Sequence, residues 1–187
     1  MARRFFKLND DVNVPRRWHL DTPTDLQGRA VDDREFRRGT AVPVKERLRI
    51  PVEIAGNPLD YTEAGVGLPV VHVRVASIFV ELAPDDVQLL PVDVEGQPDQ
   101  YLILVATRLV RCIDEKASRI QRWTHEDGLP DMVGQYASVR DLRIDRALVG
   151  NAQVFRPEGW MVSLIVSGEI HDALVRMGAT GTRFEEV

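Results

Sequence analysis

Cysteine is almost missing from this chain: Cys112 is the only one in 187 residues. An intramolecular disulfide is therefore excluded, and so is a cysteine-rich zinc site. Cys112 stands late in an apolar run, where a buried and inert thiol is expected. Long hydrophobic runs are missing as well. None reaches the roughly 20 residues that a membrane helix needs, and the longest, "YLILVATRLVRCI", is interrupted by Arg108 and Arg111. The opening "MARRFFKLNDD" has basic residues, but charge resumes after a short apolar patch, so it does not read as a secretory signal. These features predict a cytoplasmic protein that neither spans nor binds a membrane. Histidine is sparse: His19, His72, His125 and His171 lie far apart, in no metal-ligand spacing. His72 reads as a structural histidine. "HED" at 125–127 sets three ligand types side by side, yet consecutive side chains diverge, so a solvated loop is expected there.

Hydrophobic residues make up 44% and charged residues 28%, the balance of an ordinary globular domain. The net charge of −5 is unevenly spread. Residues 1–49 hold 12 basic and 8 acidic groups, residues 50–99 hold 1 and 9, and residues 100–187 hold 11 and 12. The middle block is thus strongly acidic. Within it, residues 81–99 carry Glu81, Asp85, Asp86, Asp93, Glu95 and Asp99 with no basic residue among them. A solvated acidic face that aids solubility is one reading, and a surface that attracts a cationic partner is the other. Direct binding to nucleic acid is disfavoured, because phosphates demand a basic stripe.

The pattern along the chain predicts an α+β fold, a mostly antiparallel sheet with two main helices at about 69–83 and 168–177. "RRFFKL" reads as an opening strand. "LRIPVEI" (48–54) alternates as a half-buried strand, with Pro51 arguing for an edge. Val71, Val75, Ile78, Phe79 and Leu82 form one helical stripe, with Pro69 suited to a first turn and Pro84 just past the end. "DVQLLPVDV", the turn "EGQPD" and one long strand "QYLILVATRLVRCI" then predict an antiparallel pair. "SRIQRW" fits a strand or a helical turn equally well; "VRDLRID" alternates, and "WMVSLIVS" reads as an apolar strand. Ser167 is a candidate cap for the second helix, Ile170, Ala173, Leu174 and Met177 its buried stripe, and Gly178 its stop. "TRFEEV" is left as an edge strand. A single domain over 1–187 is expected, with a loosely structured N-terminal lobe at 1–47.

One spelling invites an enzymatic reading. Pro98-Asp99, followed downstream by Asp114-Glu115-Lys116, copies a metal-dependent nuclease signature, in which both acids and the lysine share one metal ion. If the intervening apolar run is one strand, it holds Asp99 and Asp114 on the order of 45–50 Å apart, and they cannot share a metal. No G-x-S-x-G elbow is present. "GVG" at 65–67 precedes a helical pattern but lacks the third glycine of a phosphate loop, so a structural turn is favoured. Trp18, Trp123 and Trp160 are core covers or anchors in a protein interface. No catalytic residue, metal cage, cofactor site or basic groove stands out. A binding protein is therefore expected ahead of a metal-dependent nuclease-like enzyme or a scaffold that self-associates through strand edges.

The chain resembles a bacterial immunity protein family of polymorphic toxin systems, the eleventh numbered one, typified by a myxobacterial protein acting against a kin-discrimination nuclease toxin. The likeness runs through "RRFFKL", "PLDYTEAGVGLPVVHVRVASIFVEL", "DVQLLPVDVEGQPDQYLILVATRLVRCIDEKAS", "NAQVFRPEG" and "LIVSGEIHDALVRMGATGTRFEEV". These segments are framework features, and no toxin-contact residue carries over from them. The resemblance implies an inhibitor, not an enzyme, that protects a cell and its kin by binding a cognate toxin, without a cofactor. A nuclease toxin must hold phosphates in a basic cleft, so the residues offered for contact are Glu81, Asp85, Asp86, Asp93, Glu95 and Asp99, with a tryptophan as anchor. Homodimerisation is compatible with this role.

Overall fold

A computed structural model describes residues 3–187. In chain order its strands are β1 (Phe5–Asp10), β2 (His19–Leu20), β3 (Leu48–Ile50), β4 (Val52–Ile54), β5 (Tyr61–Ala64), β6 (Leu68–His72), β7 (Val87–Val94), β8 (Tyr101–Ala106), β9 (Leu109–Val110), β10 (Arg119–Arg122), β11 (Tyr136–Arg140), β12 (Val154–Pro157), β13 (Leu164–Ser167) and β14 (Thr182–Glu186). Helix α1 (Val73–Leu82) lies between β6 and β7, and α2 (Gly168–Met177) between β13 and β14. The class is α+β, but the sheets are mixed. The pairs β3–β7, β2–β5 and β9–β12 run parallel.

The larger sheet has the order β3-β7-β8-β6-β5-β2-β4. Its outermost members, β3 and β4, are separated in sequence by Pro51 alone, so the sheet curls round and nearly closes as a barrel. At the seam, Arg49 pairs with Asp93 of β7 on one side, and on the other it exchanges backbone hydrogen bonds of 2.7 and 2.9 Å with Thr24. Pro51 has no N–H to leave unpaired, and its carbonyl accepts from Asp21 N at 3.0 Å. The predicted edge proline thus marks the closure. Leu48, Ile50, Leu68, Val70, Val92, Val94, Ile103 and Val105 fill the interior with Trp18 and Phe36.

Strand β8 is buried along its whole length, YLILVA. Tyr101, Ile103 and Val105 point into the barrel, while Leu102, Leu104 and Ala106 point outward into a second core. Burial on both faces explains a continuous apolar run with no polar alternation. The second core is capped by α1 and α2 and faces the five-stranded sheet β14-β1-β13-β12-β9 through Phe6, Leu8, Val154, Leu164 and Val166.

Helix α2 has the predicted boundaries. Ser167 Oγ accepts from Ile170 N, and Gly178 closes it in the left-handed region at φ 66°. Helix α1 is a correction: residues 68–72 are strand, paired with β5 on one side and β8 on the other, and the helix starts at Val73. His72 caps it, its Nδ1 accepting from Arg74 N at 3.2 Å. Val71 still shares a core with Val75, Ile78 and Phe79, so the stripe is continuous in packing although it crosses an element boundary.

The expected long strand from 100 to 113 is a second correction. It ends at Ala106. Thr107 N donates to Asp86 O, Arg156 N donates to Arg108 O, and the chain leaves the barrel to pair in parallel with β12 in the other sheet. The extended-strand separation drawn between Asp99 and Asp114 therefore does not hold. The strand in "WMVSLIVS" is likewise shorter, starting at Leu164, and Asp141, at φ 49°, interrupts "VRDLRID". Segment 111–152, with the hairpin β10–β11, covers the outer face of the five-stranded sheet. Cys112, Leu142, Ile144 and Val149 pack there on Phe5, Phe155 and Ile165. Cys112 is buried as expected, and burial pushes its thiol up to about 12.

Candidate functional site

The six acidic residues named from sequence do not form one patch. Asp93 alternates with the buried Val92 and Val94, so the two-residue period of β7 turns its carboxylate outward from the barrel, and the exposed Glu95 follows in the turn directly after the strand. Asp99 follows in the exposed turn to β8. Glu81 and Asp85 are also exposed, but they precede β7, whose eight residues span roughly 25 Å. Asp93 pairs with Arg47 at 2.8 Å, and Glu95 Oε2 accepts from Val52 N at 3.2 Å beside the barrel seam.

Asp86 corrects the expectation of a shared acidic surface. It is only 5% exposed. Its carboxylate accepts from Gln153 N at 2.6 Å and Val154 N at 3.3 Å, with Arg108 at 3.6 Å, and so ties the start of β7 to β12. Of the tryptophans, Trp18 is in the barrel core, its Nε1 donating to Thr62 Oγ1 at 2.8 Å. Trp123 and Trp160 are half-buried.

A basic groove does exist, assembled from three distant segments. Asp33–Arg37 is a 3-10 turn, capped by the Asp32 carboxylate accepting from Arg34 N. Three residues per turn put Arg34 and Arg37 on one side, while Phe36 plugs the barrel. Arg34, Arg37 and Arg38 then face Trp160, Met161 and Val162 across a cleft of about 660 Å³, with Met132, Gln135 and Tyr136 as the third wall. Arg34 is neutralised by Asp32 at 2.9 Å, which holds that carboxyl below its usual range, and Arg37 by Asp33 at 3.5 Å. Arg38 is exposed and makes no ion pair among the described residues.

Behind the Met161 wall lies Arg156, fully buried. Its Nη1 donates to Met161 O at 2.7 Å, while Nε and Nη2 find no partner. Burial lowers its pKa to about 10, Arg37 adds to the lowering, and Tyr61 and Glu63 oppose it, so it stays charged at neutral pH. Glu63 is pushed the other way, upward, by burial and then by the negative charge of Asp10. Arg17 engages that aspartate at 2.5 Å.

Gln135, Tyr136 and Gly159 also line a neighbouring cleft of about 400 Å³ with Arg111, Glu115 and Arg122, so the two clefts share a wall. Tyr136 donates to Glu115 at 2.6 Å and Arg122 reaches the same oxygen at 2.7 Å; both hold that carboxyl below its usual range. Gly159 sits at φ 83°, and a Cβ there would lie 2.8 Å from the Tyr136 ring, so glycine is required for that packing. Sequence reading missed this groove. "DDREFRR" sums to no net charge, and the lone Arg156 in "QVFRPEG" carries no local mark beyond strand alternation.

Among the described residues, no group of three His, Cys, Asp or Glu side chains could hold a metal ion, and Asp99, Asp114 and Glu115 are not brought together. "GVG" forms the turn of the β5–β6 hairpin, with Gly65 and Gly67 at φ 52° and 75°. No helix of the described residues is long and apolar enough to cross a membrane. Comparison with known proteins adds two findings. No curated protein matches the chain. A family model described as "Immunity protein family (Imm11)" matches residues 4–187.

Proposed function

The chain belongs to the Imm11 immunity protein family, and from that premise we propose that it is a non-catalytic inhibitor that binds a cognate toxin in the producing cell and protects that cell and its kin. The family match over nearly the whole chain carries this reading. We read the toxin as a cytoplasmically acting nuclease. The exposed carboxylates of Asp93, Glu95 and Asp99 are the support for that choice, because a nuclease cleft that holds phosphates is basic and a facing acidic end accelerates encounter. Glu81 and Asp85 extend the acidic field from the other end of β7.

The test is co-expression with candidate nuclease toxin domains, followed by titration of the purified pair. Growth restored by the folded inhibitor, with a stable complex and no substrate turned over by the inhibitor itself, is the expected result. Death at the unprotected rate, or cleavage of nucleic acid by the purified inhibitor alone, would refute the reading.

A further inference from the structure

We propose that the arginine groove is a second docking surface, one that takes an extended acidic segment of the toxin with an apolar side chain beside its carboxylates. This rests on the reading that the chain binds a toxin. Three observations converge on the groove. Arg38 makes no ion pair at the surface, and Arg156 behind the wall, although in the field of Glu63, has two guanidinium nitrogens unbonded. A buried guanidinium with unbonded nitrogens is costly, and an anion brought into the groove adds to the field that offsets that cost. Planar guanidinium groups also match carboxylates two-pronged, which a lysine cluster cannot do.

The opposite wall is apolar and open to solvent. Met161 is 38% exposed and Val162 56% exposed, beside the half-buried Trp160 and Met132. Arginine next to exposed methionine and tryptophan is the composition of interface hot spots. Tyr136 and Gly159 also border the second cleft, which brings Arg111 and Arg122 next to the groove. A nucleic acid strand fits the same groove less well. Every nucleotide carries a phosphate, whereas Asp32, Glu115 and Glu158 along the lining leave places for only a few anions beside the arginines, which a peptide with isolated carboxylates can match.

The experiment titrates the toxin domain against which the chain protects in co-expression, inactivated, against the full chain and two single variants at exposed positions, Arg38→Glu and Val162→Glu. Thermal melts confirm that each variant is folded. The dissociation constant is expected to rise on the order of 30-fold for either variant, as for a hot-spot residue, with the loss mostly in the dissociation rate. Unchanged affinity in both folded variants overturns the groove while leaving the toxin reading intact. No binding by the unmodified chain overturns both. A short DNA duplex serves as the competing probe, and duplex binding that disappears in Arg38→Glu also overturns the proposal.

Discussion

The acidic end of β7 and the arginine groove carry opposite charge, and they are also built differently. Asp93 stands on a strand whose other face is the apolar barrel interior, Glu95 follows just after it, and both are exposed, with partners only at the surface in Arg47 and the Val52 N–H. The groove has depth: a surface arginine, ion-paired arginines and then a buried one, with an apolar wall opposite. Charges in water act at long range and are screened by salt. Groups that are partly desolvated and packed act at contact. The first kind of surface governs how fast a partner arrives, and the second how long it stays.

That contrast can be broken at several points. The largest effect is expected at Asp86, the acidic residue that is not on the surface at all. Asp86→Ala strands the Gln153 and Val154 N–H groups and should cost about 2–4 kcal/mol of stability in denaturant titration. Its exposed neighbour Asp85→Ala should stay within about 0.5 kcal/mol; equal losses would erase the distinction between them. Next comes charge reversal of Asp93, Glu95 and Asp99 to lysine together. Toxin association at low salt should slow by about 10- to 100-fold with the dissociation rate nearly unchanged, and the difference should shrink in high salt. A change confined to dissociation would instead make this end a contact surface like the groove.

The smallest effect concerns Glu63, the carboxyl among the charges between the barrel and the five-stranded sheet. Its folded pKa is raised, so the folded state holds the proton more tightly than the unfolded chain does. Its contribution to stability is complete below the unfolded value near 4.5 and is lost as pH rises through the folded value. Glu63→Gln should therefore flatten the melting temperature against pH just above 4.5, and an identical slope in the variant would show that another group titrates there.

Local chemistry made some of this legible in advance. Helix α2 was fully marked by Ser167, Ile170, Leu174 and Gly178, because a cap, a stripe and a stop all lie within twelve residues. The end of β8 was not. Thr107 and Arg108 are unremarkable as a break, and the strand stops because its partners change from the barrel to Asp86 and Arg156. The start of α1 was misplaced for a related reason: Val71 belongs to the core the helix packs on, so a contact made by a strand imitates a helical turn. Exposed carboxylates could be read from composition, but the burial of Asp86 depends on backbone donors 67 and 68 residues further on. The groove draws on residues 32–38, 132–136 and 159–162, and no window of sequence contains it.

The place of β1 in its sheet has a consequence for biosynthesis. The strand lies between β13 and β14, with Phe6 opposite Val166 on one side and Glu186 on the other. The paired residues follow Phe6 by 160 and 180 positions, so Phe5, Phe6 and Leu8 wait in the nascent chain without a mate. Such a segment suits chaperone capture, and pairing over so long a sequence interval is slow. Maturation should therefore wait on the docking of β1 between its two late partners, and a refolding phase slowed by loosening that docking is the expected sign of it.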